Sequence, residues 1–306
     1  MTITTDRSGQ ASPETLSARD PRSAALGAAL AGPLVSTQWL CDHLGSDGLV
    51  VVDATVVAAT GPDGRVGYVS GAEQYRAGHL PGAVFADLLD PFSDPAARFP
   101  FTRPGAEGFA NAVAALGVDS ETTIVIYDAA VGQWASRLWW LFRSFGHHRV
   151  AVLDGGVTKW SGEDRPLESG DVVPRPVGDV TVTELPGFWS DRDDVAAVLS
   201  GDRAGTLVCG TPPRDFAARH LPGSVSAPAV RLMDRATNAF LPRAELREIF
   251  ADVLASPDPI VAYCGGGIAA AADALALALL GRDDVTVYDG SLNEWTSDPE
   301  APLARL

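Results

Sequence analysis

The sequence is poor in cysteine and has no cluster of basic residues, and each absence excludes a class of protein. Only three cysteines occur among 306 residues, Cys41, Cys209 and Cys264, and no two of them form a CxxC pair. The five histidines follow no metal-ligand spacing, so the sequence predicts neither a metal site nor a disulfide framework. The net charge of -16 argues against a nucleic-acid partner, because phosphate binding needs clustered Lys and Arg.

Long apolar runs are also missing, and this bears on where the protein works. Hydrophobic residues make up 46% of the chain, but no stretch is long enough to cross a bilayer, so no membrane partner is expected. Residues 1–32 start without a basic region, and polar residues precede a short run of small ones. This composition indicates a disordered leader rather than a signal peptide, and it predicts a cytoplasmic protein.

The sequence does contain a repeat of itself. Residues 124–160 align with residues 260–295 with a difference of one residue in length. Each stretch begins with a short β-branched run and continues through a turn and a helix-compatible segment. Each then ends in a second apolar run, followed by Asp-Gly and a tryptophan. This order is typical of a βαβ unit in a parallel sheet.

The repeat extends upstream and divides the chain into two α/β domains. The sequence GHLPGAV at 78–84 matches RHLPGSV at 219–225, and a strand-like run precedes each. We predict that each domain is a parallel sheet flanked by helices. The first domain carries about fifteen extra residues, 57–71, which predict a surface loop. The predicted boundaries are 33–165 for the first domain, 166–181 for a Pro- and Gly-rich linker, and 182–306 for the second domain.

Cys264 is the candidate nucleophile. It follows the apolar run at 259–263 and precedes three glycines and an Ala- and Leu-rich segment, which predicts a helix over about 268–280. The glycines allow successive N–H groups to point at one spot, and the helix N-terminus adds partial positive charge there. Both effects stabilise a thiolate. Buried cysteines and Gly-rich connections are common, so this turn alone leaves a structural role open.

Three motifs together resemble the tandem rhodanese family of sulfurtransferases. They are HLPG at 220–223, YCGGG at 263–267 and DGSLNEW at 289–295, and each has a counterpart in the first half. The resemblance implies that Cys264 takes a sulfane sulfur from thiosulfate or 3-mercaptopyruvate and holds it as a persulfide. A thiol, cyanide or a thioredoxin-like protein would accept the sulfur, and no cofactor is implied. The substrate-binding residues implied are Gly265, Gly266, Gly267, Ile268, Ala269 and Arg214.

The resemblance also implies a silent first domain and leaves the donor open. Asp128 stands in the place of the cysteine, and a carboxylate cannot hold a persulfide. The loop CGGGIAA has no cation and is more similar to mercaptopyruvate enzymes than to thiosulfate enzymes, although Gly266 replaces their serine. Asp215 stands where the family has a donor-binding arginine, so Arg214 would be a substitute. Three further arginines are weaker candidates for the donor: Arg231, Arg235 and Arg243.

Two other functions compete with sulfur transfer. A cysteine phosphatase would have an arginine six residues after its nucleophile, but Ala270 stands there. A non-catalytic sulfur-relay or binding module with a degenerate site stays open, because the family's usual serine, histidine partner and paired arginines are not evident.

The remaining reactive or aromatic residues are expected to serve structure. His79 and His220 recur at the same place in both halves, which favours a structural role. The aromatic residues between 134 and 142 are expected to pack in the core. Cys209 is expected to be an inert buried thiol, with a disulfide to Cys264 as a further hypothesis.

Overall fold

The computed structural model describes Leu26 and residues 30–62, 64, 66–173 and 175–306. The leader predicted for residues 1–32 lies outside the described residues, except for Leu26 and residues 30–32. Within the described ranges, no helix is both long enough and apolar enough to cross a membrane.

The first half contains a five-stranded sheet. The described strands of this half are β1 (Leu34–Val35), β2 (Leu49–Asp53), β3 (Val56–Thr60), β4 (Val66–Ser70), β5 (Val84–Phe85), β6 (Thr123–Tyr127) and β7 (Val150–Leu153). Strands β1, β7, β6, β2 and β5 lie side by side in this order, and all neighbours are parallel. The helices are α1 (Thr37–His43), α2 (Ala72–Ala77), α3 (Ala106–Ala115), α4 (Gln133–Ser144) and α5 (Gly156–Gly162).

The second half repeats this plan. Its strands are β8 (Trp189–Ser190), β9 (Thr206–Cys209), β10 (Val225–Ser226), β11 (Ile260–Tyr263) and β12 (Val285–Tyr288). They lie in the order β10, β9, β11, β12 and β8, again with all neighbours parallel. The helices are α6 (Arg192–Ser200), α7 (Pro213–Ala218), α8 (Arg243–Ile249), α9 (Ala251–Ala255), α10 (Ala269–Leu279) and α11 (Ser291–Trp295), with a 3₁₀ turn at Ala229–Arg231.

The two sheets have the same topology, so the predicted α/β class with two tandem domains is confirmed. The central strands β6 and β11 are mostly apolar and are buried along their whole length. Such continuous burial is typical of parallel strands that are covered on both faces. Each central strand leads into a long helix, α4 or α10. Helix α10 begins one residue later and ends one residue earlier than the sequence predicts.

The two halves share a hydrophobic core rather than only a linker. Helices α4 and α10 pack against each other, and one continuous cluster of buried side chains includes residues of both. Trp139 and Phe142 belong to this cluster from α4, and Leu275 and Leu277 belong to it from α10. Asp128 and Cys264, which precede these two helices, therefore lie close to the boundary between the halves.

Two predicted connecting segments take different forms. The extra residues at 57–71 are not an irregular loop, because β3 and β4 pair in an antiparallel hairpin over most of this length. Residues 166–181 contain no helix or strand among those described, and Glu168 makes a single bridge with His79. The boundaries assigned to the linker stay a prediction.

Candidate active site

A cavity of about 450 Å³ opens at the carboxyl ends of strands β9 and β11, between the two halves. Ligands of parallel α/β folds bind at this edge of the sheet. The second half supplies the Cys264 loop and the segment after β9. The first half supplies the hairpin, the loop near residue 100 and the start of α4. The lining residues that matter below are Tyr68, Phe101, Gln133, Trp134, Thr211, Asp215, Cys264 and Asn293.

Cys264 is held in a turn that Ser291 organises. The thiol is 3% exposed and contributes to the cavity wall. The Ser291 hydroxyl accepts the backbone N–H groups of Cys264 and Gly267, both at 3.1 Å, and donates to the Tyr288 carbonyl at 2.7 Å. Gly267 has a φ of 75°, and a Cβ atom there would lie 2.8 Å from the Asp289 carbonyl. Only glycine fits this position without strain.

The equivalent turn of the first half holds a buried carboxyl group that accepts four backbone N–H groups. Asp128 Oδ1 accepts the N–H groups of Ala130 at 2.9 Å and Gly132 at 3.0 Å. Its Oδ2 accepts those of Trp134 at 3.0 Å and Ala135 at 2.9 Å. Burial raises the pKa of Asp128, and the four N–H groups act in the opposite direction. The turn is therefore a four-amide cradle for one side chain.

Part of this cradle is available in the second half, although the N–H of Ala271, the counterpart of Ala135, donates to the Ile268 carbonyl at 3.0 Å. The alignment of the halves makes Gly266 and Ile268 the counterparts of Ala130 and Gly132. In the described chain, no residue accepts a hydrogen bond from the Gly266 or Ile268 N–H group. No side chain caps the first turn of α10. Unpaired N–H groups at a helix start attract negative charge, so this turn can stabilise an anion at the Cys264 sulfur.

Arg137 of α4 crosses from the first half to the Cys264 loop. Its side chain is 1% exposed and donates to Asp289 Oδ1 at 2.6 Å and to the Phe101 carbonyl at 2.7 Å. It also donates to the Gly267 carbonyl at 3.4 Å. The guanidinium lies 4.7 Å from the centre of the Trp189 ring, which covers it. One buried cation therefore holds three backbone or carboxylate oxygens together.

These contacts orient the loop that carries Cys264. Because the C=O and N–H of a trans peptide point in opposite directions, holding the Gly267 carbonyl directs the Ile268 N–H to the opposite side. The second carboxylate oxygen of Asp289 accepts a hydrogen bond from the backbone N–H of Arg103 at 2.9 Å. Asp289 lies two residues before Ser291. Contacts from the first half therefore hold both Gly267 and the segment that leads to Ser291.

The predicted substrate-binding residues divide into two groups. Gly265, Gly266, Ile268 and Ala269 line the cavity, whereas Gly267 lies behind it. Arg214 is exposed on α7 and does not line the cavity. The three weaker candidates are also exposed and outside the lining: Arg231, Arg235 and Arg243. A contribution of these arginines to donor binding stays a prediction that the cavity lining does not favour.

Cys209 and the two histidines have structural surroundings. The Cys209 side chain lies on the face opposite Cys264, because side chains alternate along a strand and Cys209 pairs in register with Tyr263. Its sulfur is 3.1 Å from the Thr211 hydroxyl, and burial raises the pKa of Cys209. This geometry favours an inert thiol over a disulfide with Cys264. His79 and His220 each hydrogen-bond the carbonyl four residues earlier, and neither lines the cavity.

Several site residues are not predicted from the sequence. Trp134 lines the cavity, contrary to the expectation that the aromatic residues of 134–142 only pack in the core. Its ring contacts Tyr68 of the hairpin at a centroid distance of 5.2 Å. The roles of Ser291 and Arg137 are also not predicted, although Ser291 belongs to the Asp-Gly-Ser motif seen in the sequence. Their roles depend on contacts between segments that are far apart in the chain.

Asp273 is a buried carboxyl group close to the cavity wall. It lies on α10, is fully buried, and has no hydrogen-bond partner in the described chain for either carboxyl oxygen. A Cβ atom added to Gly210, which lines the cavity, would lie 2.3 Å from Asp273 Oδ2. Burial raises the pKa of Asp273 well above its usual value, so the group is neutral where a free aspartate is ionised.

Asp273→Asn is expected to raise the free energy of unfolding, and the gain should grow with pH. Below about pH 4 both states keep the proton, so variant and wild type differ little. At higher pH only the unfolded state releases the proton of Asp273. The free energy of unfolding of the wild type then falls by up to about 1.4 kcal/mol per pH unit, until Asp273 ionises in the folded state as well. Urea unfolding at about pH 5 and about pH 7.5 measures the difference. A gain that does not change with pH, or equal growth in the exposed control Asp252→Asn, would contradict the prediction.

A duplicated parallel α/β fold, with one cysteine in an amide-lined turn between the halves, defines an enzyme that uses a nucleophilic sulfur. The Rhodanese-like domain family matches residues 36–163 and 196–298. The chain therefore belongs to the rhodanese family. It is a sulfurtransferase, as are the related proteins that it matches over most of its length.

Three relatives show how far the similarity extends. The 3-mercaptopyruvate sulfurtransferase of Homo sapiens is 35% identical over 280 residues, which cover 86% of this chain and 91% of that protein. Thiosulfate/3-mercaptopyruvate sulfurtransferase 1, mitochondrial, of Arabidopsis thaliana is 32% identical over 302 residues, or 89% of this chain and 78% of that protein. The crystal structure of SseA from Escherichia coli, a 3-mercaptopyruvate sulfotransferase, gives a TM-score of 0.76 at 31% identity. The match covers 85% of this chain and 98% of that chain.

Proposed function

We propose that the protein transfers a sulfane sulfur from thiosulfate or 3-mercaptopyruvate to a thiophilic acceptor through a persulfide on Cys264. The observation that carries the proposal is the four-amide cradle around Asp128. The second half has the same turn with a thiol in place of the carboxylate. A turn that holds a buried carboxylate in one half supports a thiolate, and then a persulfide anion, in the other.

In the first step the Cys264 thiolate attacks the outer sulfur of the donor. With thiosulfate, the new S–S bond forms as the old S–S bond breaks, and sulfite leaves with the electron pair. With 3-mercaptopyruvate, the C–S bond breaks, and the carbon fragment takes a proton and leaves as pyruvate. In both cases Cys264 becomes a persulfide anion, and the unpaired backbone N–H groups of Gly266 and Ile268, two residues that line the cavity, stabilise the growing negative charge.

In the second step an acceptor takes the outer sulfur. A small thiolate, cyanide or a thioredoxin-like thiol attacks it, the persulfide S–S bond breaks, and Cys264 leaves as a thiolate ready for the next donor. The cytoplasm is the compartment that we propose for this cycle. The chemistry needs a reduced nucleophile, the three cysteines are free, and the cytosol keeps thiols reduced.

Mass spectrometry of the reduced protein after separate incubation with thiosulfate and with 3-mercaptopyruvate tests this function. We expect one added sulfur atom on the peptide that contains Cys264, with at least one of the two donors. The exposed Cys41 and the buried Cys209 should gain none, and they serve as internal controls. Sulfur gain on Cys41 alone, or on no cysteine with either donor, would reject the proposed mechanism.

A further inference from the structure

The side chains around the Cys264 cavity have an unusual balance of charge. Of the described residues that line it, none is a lysine, arginine or histidine, and the only charged side chain is that of Asp215. The polar contribution comes from neutral groups, the amides of Gln133 and Asn293 and the hydroxyl of Thr211. Cations are therefore absent from the described walls of a cavity through which the acceptor must approach the sulfur.

One wall of the cavity is aromatic. The rings of Tyr68, Phe101 and Trp134 contact one another with centroid distances of 5.2 to 5.6 Å. All three come from the first half, and Tyr68, on the hairpin, is half exposed. Aromatic rings attract ammonium groups through their π-electrons, most strongly where water is partly excluded. This wall favours a cation or a neutral group over an anion.

Asp215 is free to pair with a ligand. It is exposed on α7, and its carboxylate makes no ion pair or hydrogen bond with another described residue. Arg214, the neighbouring residue, does not line the cavity. Asp215 and Cys264 line the same cavity of about 450 Å³, so the carboxylate acts on a ligand that approaches the sulfur.

We propose that the acceptor is a small aminothiol, a molecule with an ammonium group a few bonds away from its thiol. This inference rests on the proposed sulfurtransferase function and adds the class of acceptor. Asp215 and the aromatic wall do not favour the two donors, which are anions without an amine, so the favourable interaction of these groups is with the ammonium group of the acceptor. The acceptor thiolate attacks the outer sulfur, the persulfide S–S bond breaks, Cys264 leaves as a thiolate, and the acceptor carries away the sulfur.

The first test compares three acceptors of similar size and different charge. The persulfide form, verified by mass spectrometry, is mixed rapidly with cysteamine, 2-mercaptoethanol or 3-mercaptopropionate, and each rate is expressed per thiolate. We expect the rates to fall in this order, by roughly threefold to tenfold between the cationic and the anionic acceptor. Added salt should reduce the differences. Asp215→Asn should reduce them too, whereas the control Asp252→Asn, which removes an exposed carboxylate outside the cavity, should keep the wild-type order.

The second test does not depend on sulfur loading, so it separates the two proposals. Methanethiosulfonate reagents with a trimethylammonium or a sulfonate group modify the free Cys264 thiol directly. We expect the cationic reagent to be favoured at Cys264, and Asp215→Asn to lower this preference by roughly threefold or more. Cys41, exposed and outside the cavity, should keep its own preference in both proteins. An unchanged preference at Cys264 in Asp215→Asn would overturn the aminothiol proposal, even if the persulfide forms normally.

Discussion

Replacement of Cys264 by serine is expected to abolish sulfur transfer, with a loss on the order of 10³-fold or more in turnover. Serine has nearly the same shape, so the turn held by Ser291 stays intact. Its hydroxyl does not ionise near neutral pH, however, and it forms no persulfide. The rate of sulfur transfer from thiosulfate or 3-mercaptopyruvate to cyanide or a thiol measures the loss. The free energy of unfolding should change by less than about 1 kcal/mol.

Cys209→Ser is the matched control for this prediction. Cys209 is also buried and ends β9, the strand beside β11, but its sulfur lies on the other face of the sheet. We expect the Cys209→Ser variant to keep most of the activity, although a buried hydroxyl lowers its stability. Equal loss of activity in the two variants would show that the chemistry does not belong to Cys264 alone.

Arg137→Leu is expected to lower the free energy of unfolding by about 3 kcal/mol and to lower turnover as well. The pair of Arg137 and Asp289 is almost fully buried, with side chains that are 1% and 15% exposed. Loss of the arginine leaves Asp289 Oδ1 and the Phe101 carbonyl without that partner. Buried groups without partners account for most of the expected cost. Urea unfolding and steady-state kinetics on the same preparations measure both effects.

A surface ion pair and a double variant provide the controls. Arg76 pairs with Asp171, but these side chains are 55% and 82% exposed, so Arg76→Leu should cost no more than about 1 kcal/mol. The double variant Arg137→Leu with Asp289→Leu should recover part of the stability, because an apolar pair often replaces a buried ion pair at little cost. It should not recover turnover, since the Gly267 carbonyl stays without its donor. Recovery of both stability and turnover in the double variant would show that Arg137 has only a structural role.

The repeat made the fold, and the position of Cys264 at the carboxyl end of β11, predictable from the sequence. A strand that is buried on both faces requires a continuous apolar run, which identifies β11 in the sequence. A turn with positive φ requires glycine, which identifies Gly267. The duplication adds a second instance of each pattern, which identifies Cys264 and Asp128 as equivalent positions. The family match at 36–163 and 196–298 agrees with this interpretation.

The walls of the cavity were not predictable in this way. Arg137 and Asp289 are 152 residues apart, and only the packing of α4 on α10 brings them together. The hairpin that carries Tyr68 has weak local signals, because its exposed strand β4 lacks an alternating buried face. Trp134 has the composition of a core residue, and its position at the mouth of the site depends on where the first half ends and the second begins. Such contacts are properties of the tertiary structure rather than of any one segment.

The Asp128 cradle also has an evolutionary consequence. In the first half the anion that the turn binds is part of the chain, so this copy is permanently in its occupied state and needs no substrate to become ordered. In the proposed mechanism the turn of the second half is occupied only while Cys264 holds charge or sulfur. Under that mechanism duplication gave one copy that is always occupied and one that turns over, and the occupied copy can act as a rigid template against which the Cys264 loop is held.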